Sequence, residues 1–256
     1  YRLGRRTGFL LLGEISIILT LLSFILEIVG LVSFFCFAML FTAAGYNTFS
    51  FSEAVNTPVT ENTKNTIVID AGHGGEDPGA VIGNIKEKDI NLNISLFLGE
   101  LFEANGYNVV YTRTEDKMLY KPGEEHRKKH FDLYNRVALA NEQQDCILLS
   151  IHVNRFSSPK YSGAQIFYSS NSPESKKLAD HIQTTIKALQ PNNTRLSKNS
   201  GSSIYLLDKF KGTAVLVECG FISNEAECKN LSSTDYQRNF AVSVYVAVTE
   251  YLNGDV

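Results

Sequence analysis

Two stretches of the sequence, Ile67-Val-Ile-Asp-Ala-Gly-His73-Gly-Gly75 and Ile147-Leu-Leu-Ser-Ile-His152-Val-Asn154, each carry a histidine at the end of an apolar run. Short apolar runs rich in β-branched residues are typical of buried parallel strands. Ligands bind at the carboxyl ends of such strands in an open α/β sheet, so we expect both imidazoles at one sheet edge. The sequence therefore predicts an α/β fold with its functional site where these two strands end.

The rest of the chain alternates between strand and helix patterns. Strands are predicted at 66–70, 108–112, 146–152, 164–169, 203–207 and 214–218, and helices at 87–105, 133–144, 173–189 and 234–253. Such alternation favours a mostly parallel or mixed central sheet that is flanked by helices on both faces. We expect one domain at 66–254, with no second folded module.

The N-terminal part of the chain does not fit this domain. Residues 1–45 are basic and then apolar, with three arginines among the first six positions and no charge from 28 to 44. We predict an uncleaved signal anchor that places the domain outside the cytoplasm. A cleaved secretory signal peptide is the alternative, since small residues at 42–44 offer a cleavage site. Residues 46–65 are polar and read as a linker.

Composition limits the classes of partner. The chain has 44% hydrophobic and 20% charged residues and a net charge of -3. This charge argues against nucleic acid, which calls for a basic face. The four cysteines form no CxxC pattern, so a cysteine-ligated zinc is unsupported. A disulfide between Cys219 and Cys228 is conceivable, but a pair of buried free thiols is the favoured interpretation.

A third metal ligand candidate lies between the two histidines. Glu87 opens an amphipathic helix that should run back from the same sheet edge. Together, His73, Glu87 and His152 make a three-ligand set for Zn²⁺ that leaves one coordination position open, as hydrolytic zinc sites require. The alternative is that each histidine is only a hydrogen-bonded residue at a strand end.

A hydrolytic metal site also needs a group that moves protons. Glu218 ends the apolar strand 214–218, and a carboxylate there could take a proton from water and return it to a leaving amine. The alternative is an ion pair with an arginine or a bond to a backbone amide.

A second pair of histidines has the spacing of a metalloprotease helix. His126 and His130 lie four residues apart, but basic residues fill the positions between them and no apolar face accompanies them. We predict that this stretch is a solvated loop or helix without a metal.

The four blocks at 70–80, 87, 150–154 and 217–224 together resemble the zinc-dependent N-acetylmuramoyl-L-alanine amidases. The resemblance runs from about 66 to about 252. It implies cleavage of peptidoglycan between the lactyl group of muramic acid and the L-alanine of the stem peptide. It also implies Zn²⁺ binding by His73, Glu87 and His152, and an acid/base role for Glu218.

Four further residues are candidates for a role around this site. Asp70 precedes His73 by three residues and could orient an imidazole. Asn154 follows His152 and could contact substrate. Arg113 and Arg136 match positions where the family has arginine and could grip a stem-peptide carboxylate. A surface ion pair or support for a helix is the alternative for each arginine.

The segment after the second histidine bears on regulation. Some members of the family insert a long helical segment there that covers the zinc, whereas this chain has only the short loop 155–162. Control is then expected from the time of synthesis, from location or from a separate protein partner that orders the open site. A catalytic domain behind an apolar segment is similar to the amidases that spore formers use on cortex peptidoglycan, before muramic-δ-lactam formation.

Two other functions remain open from the sequence. Three ligands and a glutamate serve any amide, so a zinc carboxypeptidase or another amide hydrolase on the same fold is one alternative. A non-catalytic wall-binding protein that has kept the fold is the other, although the complete ligand set argues against it.

Overall fold

The computed structural model describes residues 65–255. The predicted signal anchor, and all of the predicted linker except Asn65, lie outside the described residues. Within 65–255, no helix combines the length and the apolar character that crossing a membrane requires.

The described residues form eight strands and six α-helices. The strands are β1 (Thr66–Ala71), β2 (Val81–Ile82), β3 (Ile85–Lys86), β4 (Asn108–Tyr111), β5 (Cys146–Asn154), β6 (Gln165–Tyr168), β7 (Lys198–Asn199) and β8 (Thr213–Phe221). The helices are α1 (Glu87–Ala104), α2 (Lys128–Asn141), α3 (Pro173–Thr185), α4 (Tyr205–Lys209), α5 (Glu225–Leu231) and α6 (Thr234–Asn253). Short 3₁₀ turns precede α2 at Glu125–Arg127 and follow α3 at Ile186–Ala188.

Six strands make one central sheet in the order β4-β1-β5-β8-β6-β7. The strands β4, β1, β5 and β8 are parallel, whereas β6 runs antiparallel to β8 and β7 runs parallel to β6. This arrangement confirms the predicted mostly parallel, mixed sheet. The register places Asp70 beside Ser150 and His152 beside Glu218, so the carboxyl ends of β1, β5 and β8 share one edge.

Helices cover both faces of the sheet, as predicted. Alternate residues of each strand point to opposite faces. The larger core joins one face to α1, α3, α5 and α6, and includes Ile69, Ile151 and Val217. The smaller core joins the other face to α2 and α4, and includes Val68, Leu148 and Leu216. Four polar residues lie on this second face, near the carboxyl ends of the strands: Asp70, Ser150, His152 and Glu218.

One predicted strand is wrong. The stretch 203–207 contains most of the short helix α4, and the edge strand of the sheet is β7 instead. Leu206 and Leu207 are buried in the smaller core, where a single helical turn presents both side chains to α2. A five-residue apolar run does not distinguish a strand from a buried helix turn by periodicity. Helix α2 also begins at Lys128, earlier than the predicted 133.

The cysteines of the described part are free thiols. Cys146, Cys219 and Cys228 are all buried and none forms a disulfide. Burial raises the pKa of the Cys219 thiol well above its ordinary value, which keeps it protonated. The favoured interpretation of buried free thiols is therefore confirmed for Cys219 and Cys228.

A buried network of polar side chains connects β1 to α2. The Asp70 carboxylate accepts hydrogen bonds from Ser150 Oγ at 2.7 Å, Thr112 Oγ1 at 2.8 Å and Arg136 Nη1 at 2.7 Å. Arg136 also donates from Nε to Asp132 Oδ2 at 2.9 Å. Burial alone would raise the pKa of Asp70, but the charge of Arg136 and the hydrogen bonds lower it to about 2. The ionised Asp70 therefore stabilises the folded state fully at pH values above its ordinary pKa of 3.8. This stabilisation is lost as the pH falls through about 2.

Three buried cations hold the loop that follows β1. Arg136 donates to the carbonyl oxygens of Ala71 and His73, at 2.7 and 2.6 Å. Arg113 donates to those of Ala71 and Gly72, at 2.9 and 3.0 Å, and Lys88 Nζ to that of Gly75 at 2.7 Å. Each backbone carbonyl from residue 71 to 73, and that of residue 75, therefore has a charged donor, which gives this loop a defined conformation.

We expect Arg136→Met to destabilise the fold by about 3–5 kcal/mol, because it leaves the carboxylates of Asp70 and Asp132 buried without their cation. Urea denaturation followed by circular dichroism measures this change. Arg127→Met removes an exposed arginine just before α2 and serves as the control. A loss of stability no larger than that of the control would contradict the role of the buried ion pair.

Candidate metal centre

The site is built on the glycine-containing loop at the end of β1. Two of its glycines are required by close approach. A Cβ on Gly72 would lie 2.2 Å from His152 Nε2, and a Cβ on Gly79 would lie 2.5 Å from Glu87 Oε2. His73 itself adopts a left-handed backbone with φ of 61°. This strained conformation turns its side chain toward β5 and α1, and the hydrogen bonds of the loop maintain it.

The three predicted ligands come together at this loop. One ligand atom from each of His73, Glu87 and His152 lies within 4.8 Å of the other two. Glu87 Oε1 is 3.2 Å from His73 Nε2 and 3.0 Å from His152 Nδ1. The two imidazole rings meet edge to face, with centroids 5.0 Å apart. Residues that lie up to 79 positions apart in the chain thus converge on one point.

Glu87 is held firmly at the first residue of α1. Its Oε2 accepts the backbone N–H of Ala80 at 2.8 Å, and its Oε1 accepts the N–H of Val153 at 3.1 Å and Asn91 Nδ2 at 3.3 Å. Burial alone would raise the pKa of Glu87. The hydrogen bonds and charges of His152 and His73 outweigh burial and hold the pKa well below its usual range, so this carboxylate is ionised.

Sequence reasoning missed a fourth polar residue, Asp77. Its Oδ2 accepts a hydrogen bond from His73 Nδ1 at 2.9 Å, and its Oδ1 lies 3.1 Å from Lys129 Nζ. This bond leaves Nε2 of His73 as the nitrogen that faces Glu87. The signal available in the sequence was a carboxylate four residues after the histidine. Asn91, one helical turn after Glu87, was missed in the same way.

The donors present suit a zinc ion. Two imidazole nitrogens and one carboxylate oxygen are common zinc ligands. The cluster also attracts positive charge. Burial alone would lower the pKa of His73, but its hydrogen bonds and charge interactions with Glu87 and Asp77 raise it to about 9. The carboxylates of Glu87 and Asp77 therefore favour positive charge here, and a metal ion would have to displace the proton from the imidazole nitrogen that binds it.

Glu218 stands on β8 directly beside His152 on β5. Its Oε2 is buried and has no hydrogen-bond partner among the described residues. Burial is the main cause that raises its pKa to about 7, with a further rise from the charge of Glu87 and opposite contributions from His152 and His73. A carboxyl group with a pKa near neutrality can both accept and release a proton at physiological pH.

The other candidate residues have different surroundings. Arg113 and Arg136 are only 2% and 1% exposed, and both bind the backbone of the His73 loop. We had expected either guanidinium to bind a substrate carboxylate. Both instead hold the backbone of the loop. Asp70 contacts Arg136, and not an imidazole. Asn154 ends β5 beside this edge and is half-buried.

Two further expectations concern mobility and the second histidine pair. The charged donors along the His73 loop hold its backbone carbonyl groups, whereas the expectation that a partner protein orders the open site stays a prediction. His126 and His130 are exposed and each packs edge to face on Phe131, which confirms that their stretch is a solvated turn and helix.

Comparison with known proteins gives matches over the whole described domain. The family model for N-acetylmuramoyl-L-alanine amidase (Amidase_3) matches residues 67–250. The germination-specific N-acetylmuramoyl-L-alanine amidase of Bacillus subtilis (strain 168) is 36% identical over 187 residues, which cover 72% of this chain and 78% of that protein.

Solved structures agree with this match. The CwlD amidase of Clostridioides difficile, determined in complex with the GerS lipoprotein, is 41% identical and superposes with a TM-score of 0.72, over 75% of this chain and all of that one. An N-acetylmuramoyl-L-alanine amidase of Clostridium difficile 630 is 28% identical, with a TM-score of 0.65 over 75% of this chain and 98% of that one. The chain belongs to the Amidase_3 family of N-acetylmuramoyl-L-alanine amidases and is a peptidoglycan hydrolase.

Proposed function

We propose that this amidase is zinc-dependent, with Zn²⁺ bound by His73, Glu87 and His152 and with Glu218 as the acid/base. One observation carries the proposal most directly. Three ligand atoms meet around Glu87, and the neighbouring strand brings a buried, unpaired carboxylate oxygen of Glu218 to the same edge. The bond that is cut joins the lactyl carbonyl of N-acetylmuramic acid to the nitrogen of L-alanine.

Zn²⁺ held by His73, Glu87 and His152 would activate a water molecule and polarise the amide carbonyl. Glu218 accepts a proton from the water that attacks the carbonyl carbon and delivers it to the L-alanine nitrogen as the C–N bond breaks. Asp77 keeps His73 in the required tautomer. Three N–H donors hold the Glu87 carboxylate in position. The products are a lactyl carboxylate on the sugar and a stem peptide with a free amine.

We expect Glu218→Gln to keep stoichiometric zinc and to lower turnover by about a hundredfold or more, because the amide cannot accept the proton. His152→Ala should instead lose zinc and activity together. Metal content is measured by atomic absorption, and cleavage by mass analysis of digested peptidoglycan, where the wild type should release free lactyl ends.

Measurements on the wild type and on these two variants separate the competing functions. Release of D-alanine by the wild type, in place of lactyl ends, would indicate a carboxypeptidase. A wild type that binds zinc and cleaves nothing would indicate a wall-binding protein. Loss of zinc from Glu218→Gln would indicate that Glu218 is itself a zinc ligand.

Asp77 provides a test of the ligand geometry that does not depend on turnover. We expect Asp77→Ala to weaken zinc affinity by about 10- to 100-fold, because His73 loses the acceptor that fixes its tautomer and ring orientation. Competition with a chromogenic chelator measures the affinity. The matched control is Glu76→Ala, which removes the neighbouring carboxylate that pairs with Lys128. An equal loss of zinc affinity in both variants would mean that zinc binding depends on the local negative charge and not on the hydrogen bond to His73.

We further propose that the enzyme acts in the bacterial cell envelope, on spore cortex peptidoglycan. The similarity to a germination-specific amidase supports this setting. Amidase action on the cell wall takes place outside the cytoplasm. Tethering to the membrane through residues 1–45 is part of the proposal and rests on the sequence pattern alone.

A protein partner in the same compartment is also proposed. A solved relative was determined in complex with a lipoprotein. In this chain, β5 and β6 are joined by ten residues, 155–164, which leaves no long insert between these strands to cover the site.

We expect envelope extract to increase zinc binding or turnover of the purified protein several-fold, since a ligand that binds the active conformation stabilises it. Zinc titration by calorimetry, with and without extract, measures this effect. Tight binding of one equivalent, with full cleavage and no gain from the extract, would exclude a partner.

A further inference from the structure

The loop that joins β5 to β6 exposes two aromatic rings, directly after the strand that carries His152. Phe156 is 51% exposed and Tyr161 is 36% exposed, and they pack edge to face with ring centroids 4.7 Å apart. We call this pair the aromatic shelf. Exposed aromatic side chains in contact with each other mark a surface that binds something more often than isolated ones do.

The aromatic shelf is held in place by the segment that follows β8. Ser223 Oγ accepts the backbone N–H of Phe156 at 3.1 Å, and Asn224 Nδ2 donates to the carbonyl of Pro159 at 2.8 Å. Beneath the shelf, the ring of Tyr161 lies against Phe221, with centroids 6.3 Å apart. The two rings therefore project from a braced loop, so little conformational entropy is lost when a ligand binds them.

The shelf follows the candidate metal centre closely in the chain and in the sheet register. Phe156 follows His152 by four residues on the same connection, and Phe221 follows Glu218 by three on β8. Asn154 and Phe221 are partners in the sheet register, immediately beyond the pair His152 and Glu218. A polymer that extends from the metal centre along this edge of the sheet would therefore meet the shelf.

We propose that the aromatic shelf, Phe156 with Tyr161, is a binding subsite for the sugars that flank the cleaved muramic acid on the glycan strand. The proposal rests on the proposed amidase function. The C–H faces of pyranose rings are apolar and pack on aromatic faces, whereas their hydroxyl groups remain in water. A glycan strand continues on both sides of the reacting lactyl group, so a surface beside the site meets sugars.

The charges around the shelf fit the same occupant. Lys160 Nζ lies 5.4 Å from the centre of the Tyr161 ring. The Arg195 guanidinium lies 4.6 Å from the centre of the Phe221 ring, where Ser162 and Gln165 hold it. Hydrolysis converts each neutral lactyl amide into a carboxylate. A cationic rim thus favours a strand that becomes anionic as cleavage proceeds along it.

The test compares two substrates and one ligand. The substrates are polymeric peptidoglycan and a single N-acetylmuramic acid that carries its stem peptide. The ligand is a preparation of glycan strands from which the peptides have been removed. The variant is Phe156→Ala/Tyr161→Ala, measured as the full zinc-loaded chain, and the matched control is Tyr134→Ala, a 54% exposed aromatic on α2.

We expect the double variant to bind peptide-free glycan strands about tenfold more weakly and to raise KM for the polymer about tenfold. Its kcat, its zinc content and its rate on the single-sugar substrate should match those of the wild type. The conservative variant Phe156→Tyr/Tyr161→Phe should retain strand binding, and Tyr134→Ala should behave as wild type throughout.

Other results would overturn the proposal. Unchanged strand binding and an unchanged KM for the polymer would exclude the subsite. Unchanged strand binding together with a lost response to envelope extract would assign the shelf to a protein partner instead. Equal losses on both substrates would show that the loop supports the metal centre and not the strand. A wild type that cleaves neither substrate while binding strands would contradict the amidase function and leave the subsite standing.

Discussion

The ion pair between Arg136 and Asp70 is the interaction on which the metal centre depends. Asp70 is the penultimate residue of β1, and Arg136 reaches it from α2 with both side chains only 2% exposed. The same guanidinium donates to the carbonyl oxygens of Ala71 and His73, where the chain leaves the sheet. The left-handed backbone of His73 costs free energy, and these charged donors offset that cost. The position of the candidate ligand His73 is thereby set by the protein itself.

The charges in this region are layered. Cations lie beneath the His73 loop, at Arg113, Arg136 and Lys88, and bind its carbonyl oxygens. Carboxyl groups lie around the ligand atoms, at Glu87, Asp77 and Glu218. These carboxyl groups would attract a dication at the ligand atoms. The buried cations are neutralised by Asp70, Asp132, Asp116 and backbone dipoles. This separation allows buried arginines to lie beneath a loop that carries a candidate metal ligand.

The sequence predicted the parts of the fold that depend on local pattern. The apolar runs of β1, β5 and β8 and the ends of α1 and α6 lie within a few residues of their predicted positions, because burial on a sheet or helix has its own periodicity. The helix at 205–209 was mistaken for a strand because five residues carry too little periodicity. The convergence of His73, Glu87 and His152 was predictable, since parallel strands bring their ends to one edge.

The roles of Arg113, Arg136 and Asp77 were not predictable in the same way. Arginine is usually exposed, so its complete burial depends on partners that come together only in the folded chain. The contact of Asp77 with His73 follows from the left-handed turn at His73, which no local pattern specifies. Sequence reasoning therefore identifies ligands more readily than the groups that orient them.

The segment after β8 shows how one stretch of sequence serves two surfaces. Glu218 faces the ligand atoms, whereas Ser223, Asn224 and Glu227, the last on α5, bind the connection that follows His152. Glu227 reaches both sides, since its Oε1 accepts the N–H of Gly163 and its Oε2 that of Phe221. The block at 217–224 thus links Glu218, the proposed acid/base, to the loop that carries the aromatic shelf. The loop that carries the shelf and the strand that carries Glu218 therefore share hydrogen-bond partners in the segment 223–227.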